Sequence, residues 1–349
     1  METKVSSVTE NNAKAYKEAA KILKNGGLVA FPTETVYGLG GNALDEEAAK
    51  HIYAAKGRPS DNPLIIHIAE KEALKVLAKD IPEVAWKLAE VFWPGPLTMV
   101  LSKQNIVPYG TTGGLETVAI RMPNHPVALR LIKESGVYIA APSANTSGRP
   151  SPTLAEHVYE DLHGRIDMIL DGGMVQVGIE STILDLTEEV PVILRPGCIT
   201  QEMLMQEIGE VRMDPAIAEG KGKEQLRPKA PGMKYKHYAP KAELTIFTGE
   251  KEKVTACINE RIAMEKKNGK TIGVIATDET LQDYPEGVVC SIGSRTEEGS
   301  VARGLYKILR DFDHMQVDAI YAESFETDRL GTAIMNRLLK AAGYAVEYV

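Results

Sequence analysis

The chain has 349 residues, 44% of them hydrophobic and 25% charged, the profile of an ordinary globular protein with room for two domains. Its net charge of −8 argues against a broad nucleic-acid-binding surface, because neutralising phosphates takes a wide basic excess. No apolar run nears the roughly 18–20 residues that span a bilayer, the first residues lack the apolar core of a secretory signal, and Cys198, Cys257 and Cys290 are too scattered for a disulfide framework or a Cys-rich zinc site, so a cytoplasmic location and no membrane association are expected.

Residues 11–25 have the spacing of an amphipathic helix, and "GLVAFP" (27–32) reads as a short buried strand. "FPTETVYGLGG" (31–41) reads as a strand-to-helix connection. Its glycines either make ordinary turns or let the backbone approach a ligand beside the hydroxyls of Thr33, Thr35 and Tyr37. "DEEAAKHIYAAKG" (45–57) opens with acids and closes with Lys and Gly, as a helix dipole favours. Strands are expected in "PLIIHIA" (63–69), "PLTMVLS" (96–102), "ETVAIRMP" (116–123) and "VYIAAPSA" (137–144), and helices near 70–79, 82–92, 124–135 and 153–161. "DMILDGG", "STILDLT" and "PVILRPG" are three more apolar runs separated by turn signals. Strict βαβ alternation is missing, which points to an α+β or twisted open α/β core.

The pattern stops near 211. Residues 211–240 carry seven Lys and Arg against three Asp and Glu, while the segments before and after are net acidic. The stretch reads as a functional loop or linker. Beyond it, strands and helices alternate to the end, suggesting a small Rossmann-like α/β domain over 241–349, without the G-x-G-x-x-G of a dinucleotide site.

Several stretches could carry chemistry. In "KGRPSDNPL" (56–64), Lys56 has an ordinary reading as the cation that meets the helix dipole. Arg58 lies beyond the Gly57 stop, in a loop stiffened by Pro59 and Pro63. A point charge beside a planar fork suits phosphate oxygens. His67, between Ile66 and Ile68, has the ordinary reading of a satisfied core histidine. Arg121 sits in an apolar strand, so it either pairs with a carboxylate such as Glu116 or Glu34 or receives one from a ligand. "APSANTSGRPSPT" (141–153) crowds short hydroxyl and amide side chains into a loop after a strand, where open α/β sheets bind ligands; its ordinary reading is a helix entry capped by Ser151 or Thr153. Walker A, H-E-x-x-H, C-x-x-C and G-x-S-x-G patterns are absent, and no nucleophile–base pair stands out. Such a donor-rich inventory works by positioning reactants and stabilising negative charge.

Together and in this order, "PTETVYGLG", "KGRPSDNPL", "SANTSGRPSPT", "ESTILD", "ILRPG" and "PGMKYKHYAP" resemble the threonylcarbamoyl-AMP synthase family in its long form. Gly41, where that family often has Ala, is a minor departure. The resemblance implies a YrdC-like twisted open α+β catalytic domain over 1–210, a linker or lid over 211–240, and the C-terminal Rossmann-like α/β domain. It implies adenylyl transfer: L-threonine, bicarbonate or CO2, and ATP with Mg2+ give threonylcarbamoyl-AMP and pyrophosphate. The product would pass to the machinery that modifies tRNA next to the anticodon, with room for a weak tRNA contact. By motif, Lys56, Arg58, Ser143 and Asn145 would be catalytic. ATP would meet Lys56, Arg58, Asn62, Thr117, Ser143, Asn145, Ser151, Arg195, Tyr235 and His237. Threonine would meet Thr35, His67, Arg121, Ala141 and Ser181, and no residue would hold a metal directly. Two rival readings stand beside it: a non-catalytic RNA-binding module, and another adenylate- or carbamoyl-forming enzyme of the same fold.

Overall fold

A computed structural model describes residues 2–8, 12–218 and 238–349. The chain forms two compact units, one of residues 1–147, 151–176 and 180–235, the other of 148–150, 177–179 and 236–349.

The first unit is built on a mixed sheet. Its strands are β1 (Lys4–Ser7), β2 (Val29–Pro32), β3 (Tyr37–Asn42), β4 (Ile65–His67), β5 (Leu97–Ser102), β6 (Thr117–Arg121), β7 (Ile139–Ala140), β8 (Met168–Asp171), β9 (Thr182–Asp185), β10 (Val192–Arg195) and β11 (Arg212–Met213), in the spatial order β1-β8-β2-β3-β7-β4-β6-β5-β9-β10-β11. Alternation along β2 divides the core between the two faces. Val29 and Phe31 pack with Tyr16, Leu23, Val127 and Leu131 from helices Ala13–Lys24 and Pro126–Ser135. Ala30 instead joins Leu39, Ile52, Ile66 and Leu88, which brings in helices Glu46–Lys56 and Glu83–Phe92. Burying a side chain such as Phe31 contributes roughly 1.5–3 kcal/mol.

The structure corrects the reading of "YGLGG". It is not a loop but β3, antiparallel to β2 with Val29 opposite Gly40 and Pro32 opposite Tyr37. The glycines are there for close packing. A Cβ on Gly40 would lie 2.7 Å from Ile139 Cγ2 and 2.8 Å from Phe31 Cε1. The tight strand also brings the backbone of residues 141–144 alongside: Leu39 N donates to Pro142 O at 2.8 Å, and Ala144 N to Tyr37 O at 2.8 Å. The strand expected over 137–144 accordingly shrinks to β7, and its second half becomes a loop held by β3.

The second unit is a parallel sheet of β12 (Glu243–Thr248), β13 (Ile272–Ala276), β14 (Val288–Ser291), β15 (Ala319–Glu323) and β16 (Val346–Tyr348), ordered β14-β13-β15-β12-β16. Phe247, Val274 and Tyr321 pack against Val254, Ile258 and Ile262 of helix Lys251–Lys267.

Gly40→Ala should cost about 1–3 kcal/mol in urea unfolding, the usual penalty for overpacking a filled core. Gly41→Ala, whose Cβ would meet the ends of Ile52 and Leu28 at 3.1 and 3.3 Å and Ala48 Cβ at 3.4 Å, should cost under about 1 kcal/mol.

Candidate active site

Asp45 accepts from Glu47 N at 2.9 Å to start the helix Glu46–Lys56, and Gly57, at φ 61°, ends it. The last residue, Lys56, does not stay on the helix end. It is 1% exposed, and its Nζ donates to the carbonyls of Ser143, at 2.5 Å, and of Asn145. Ser147 N donates back to Lys56 O at 2.9 Å. The stretches 56–64 and 141–153 are thereby joined. Within the second of them, Ser143 Oγ donates to Asn145 Oδ1 at 2.6 Å, and Asn145 Nδ2 to Thr146 O at 2.9 Å. Further along, buried Ser151 donates to Glu180 Oε1 at 2.6 Å.

Arg58 is half-buried and braces its own loop, donating from Nε to Asn62 O at 3.3 Å and from Nη2 to Pro63 O at 3.2 Å. Asn62 is 1% exposed, yet its Oδ1 has no hydrogen-bond partner among the described residues. Thr117 opens β6. Because β4 and β6 are parallel with Ile65 level with Ala119, it lies at the end of the pair from which the 58–63 loop enters β4.

The other end of that pair carries His67 level with Arg121. Arg121 is 3% exposed: Nε donates to Gly95 O at 3.3 Å and Nη1 to Thr35 Oγ1 at 2.9 Å, while Nη2 makes an ion-pair contact of 2.6 Å with Glu34 Oε1 but no hydrogen bond among the described residues. Of the two carboxylates weighed as its partner, Glu34 is the one beside it. Glu116 instead accepts from Tyr109 Oη at 2.7 Å. Thr35 is set at the tip of the β2–β3 hairpin by Thr33, whose hydroxyl donates to Val36 O at 2.7 Å and accepts from Thr35 N at 3.2 Å. Ala141 N donates to Ile65 O at 2.9 Å, which lays Ala141 beside β4.

Across β5, Thr98 pairs with Arg121 in register, and its hydroxyl lies 2.8 Å from Ser181 Oγ. Arg195, the last residue of β10, donates from Nε to Ser181 O at 3.0 Å and from Nη2 to Ser181 Oγ at 3.1 Å. A chain of hydroxyls and arginines therefore runs from Thr35 through Arg121 and Thr98 to Ser181 and Arg195. Tyr235 and His237 lie outside the described residues. Thr98 and Glu180 were not singled out in the sequence. The only signals were a hydroxyl inside the apolar "PLTMVLS" and an acid directly before Ser181.

Burial, and then the positive charge of Arg121, push His67 down to about 3. Its Nδ1 lies 3.1 Å from Ile65 O, an arrangement in which a neutral imidazole donates from that nitrogen. Such a ring orients neighbours and is a poor proton acceptor at neutral pH.

A model of the Sua5/YciO/YrdC family, described as telomere recombination, matches residues 21–197, and one of the threonylcarbamoyl-AMP synthase C-terminal domain matches 199–343. The threonylcarbamoyl-AMP synthase of Pyrococcus abyssi is 55% identical over 328 residues, 94% of each chain. The chain belongs to the threonylcarbamoyl-AMP synthase family. The Bacillus subtilis member is 51% identical over 327 residues, covering 93% of this chain and 92% of its own. The crystal structure of P. abyssi Sua5 complexed with L-threonine matches with a TM-score of 0.93 at 52% identity, over 100% of both chains. The resemblance carried by the six sequence motifs is borne out, and so is the expected fold class: a YrdC-like domain followed by the family's C-terminal domain.

An unfolded histidine protonates near pH 6.5. Folded His67 stays neutral down to about 3, so between those values the unfolded chain binds more protons. His67 therefore makes the fold lose stability as pH falls from about 6.5 toward 3. His67→Asn should flatten that slope, read as urea midpoints at successive pH values. A slope unchanged by the substitution would remove His67 from the acid response.

Proposed function

We propose that the chain makes threonylcarbamoyl-AMP and pyrophosphate from L-threonine, bicarbonate or CO2, and ATP. The observation that carries this reading is the parallel pairing of β4 with β6. Arg58, Asn62 and Thr117 gather at one end and His67 and Arg121 at the other, with Thr117 and Arg121 about 13 Å apart at the usual strand rise. That span suits a threonine held by its carboxylate at Arg121 and a triphosphate held near Lys56 and Arg58, so that their reactive groups meet between the two ends. The buried Oδ1 of Asn62, without a partner among the described residues, supports a donor-bearing ligand on the nucleotide side.

In the proposed reaction the threonine amine forms an N–C bond to CO2 and sheds its surplus protons, giving a carbamate. A carbamate oxygen then attacks the α-phosphorus, the bond to the bridging oxygen breaks, and pyrophosphate leaves. Nucleophile and triphosphate are both anionic, so Lys56, Arg58 and Arg195 serve by lowering their repulsion, while Ser143, Asn145 and Ser151 orient the nucleotide. Thr35, Ala141 and Ser181 shape the threonine pocket, where hydroxyls can read the substrate's own β-hydroxyl. The donor set is cationic and neutral, and no group of three or more His, Cys, Asp or Glu among the described residues could cage a metal. Mg2+ would thus ride on the phosphate oxygens and water, where it neutralises charge.

We assign residues 1–210 to catalysis, 211–240, with Tyr235 and His237, to a basic linker or lid whose first residues also form β11 of the catalytic sheet, and 241–349 to the C-terminal domain. The product would pass in the cytoplasm to proteins that place the threonylcarbamoyl group on tRNA. Among the described residues, no helix is long and apolar enough to cross a membrane.

Pyrophosphate release from ATP should require both threonine and bicarbonate. Release without either one, or binding of tRNA with no turnover, would overturn the assignment. Arg58→Ala should lower turnover roughly ten- to a hundredfold with little change in stability. Lys56→Ala should lose activity similarly and also about 1–3 kcal/mol of stability, because two carbonyls lose a buried donor. Normal turnover in both variants would refute the phosphate-binding assignment.

A further inference from the structure

Glu34 is a buried carboxylate for which the reaction above gives no use. It is 3% exposed, and its contact to Arg121 at 2.6 Å is an ion pair between two side chains each 4% exposed. The contact is close but not aligned as a hydrogen bond. Among the described residues neither oxygen of Glu34 has a hydrogen-bond donor. A carboxylate offers about four acceptor positions and is costly to bury with them empty. Glu34 also acts on His125, at the N-cap of helix Pro126–Ser135, which burial pushes down and the charge of Glu34 pulls back up in part.

The fold holds this acceptor in place deliberately. Thr33 fixes the hairpin tip on one side of Glu34, and Thr35 on the other is tied to Arg121. A fork for a carboxylate thus stands directly beside a carboxylate that it touches as an ion pair but to which no group among the described residues donates a hydrogen bond. A zwitterionic amino acid is the small molecule with the complementary pair, its carboxylate and its ammonium separated by one carbon.

We propose that Glu34 receives the ammonium of threonine and takes one of its protons when the carbamate forms. This rests on the reading of Arg121 as the carboxylate fork. In the step, an N–H proton passes to the Glu34 carboxylate, and the freed nitrogen lone pair forms the N–C bond to CO2. One C=O electron pair moves onto oxygen, and the second surplus N–H proton leaves to solvent. Ammonium, CO2 and carboxylate become carbamate anion, carboxylic acid and a proton, so charge and atoms balance. Glu34 is thereby a specificity residue for the α-amine as well as its base.

The test uses the full chain and three probes: L-threonine, 3-hydroxybutyrate, which lacks the amine, and threoninol, which lacks the carboxylate. Calorimetry on the unsubstituted chain should show threonine binding at least about tenfold tighter than 3-hydroxybutyrate. Glu34→Gln should shrink that gap to about twofold and lower turnover at saturating threonine, while Glu34→Asp should restore part of both. Equal binding of the two probes by the unsubstituted chain would overturn the proposal even if Glu34→Gln fails to fold. A gap that survives in Glu34→Gln would overturn it as well. Threoninol separates the underlying reading: binding as tight as threonine would sink the Arg121 fork, whatever the amine gap shows.

Discussion

The site depends on one buried ammonium. Lys56 would cost several kcal/mol to bury alone, and the fold meets that cost with the carbonyls of Ser143 and Asn145. The geometry works in both directions. The end of helix Glu46–Lys56 fixes the hydroxyl-rich loop, and the loop's carbonyls hold the cation away from bulk water. β3 supports the same loop from its other side, which is why glycines fill that strand. Charge, loop and strand are a single construction, and the half-buried Arg58 extends from it.

Much of the element order was legible in the sequence because apolar spacing reports burial directly, as in helix Glu46–Lys56 with its acidic start and glycine stop. The failures share a cause. The stretch 37–42 looked like a loop because glycine is poor in strands by propensity, yet Phe31 and Ile139 leave no space for a side chain at Gly40. Residues 141–144 looked like a strand because they are apolar and buried, yet their partners belong to β3 and β4 over only a short length. Both are tertiary effects that no local window contains.

Candidate residues were legible as types but not as partnerships. Arg121 was recognisable as a charge that needs a mate, and the choice between Glu34 and Glu116 lay in the hairpin tip, which brings Glu34 to Arg121 from far along the chain, together with Thr35, 86 residues before it. Lys56 had a sound local explanation at its helix end, and only the path of residues 143–147 shows where it points. Thr98 and Glu180 gave only faint signals because each meets the site through a neighbour: Thr98 bonds to Ser181, and Glu180 accepts from Ser151.

A net charge of −8 and a site for anionic reactants are compatible because the cations that matter are few, buried and fixed. Arg121 and Arg195 each end a strand, and each is oriented by a hydroxyl, Thr35 in one case and Ser181 in the other. Charges held this way act in a low-dielectric setting and need little reorganisation when negative charge develops. Surface lysines in greater number would be screened within a Debye length of about 8–10 Å. Under the proposed reading the acidic exterior therefore costs the site little, because its ligands would meet the few fixed charges of Lys56, Arg121 and Arg195.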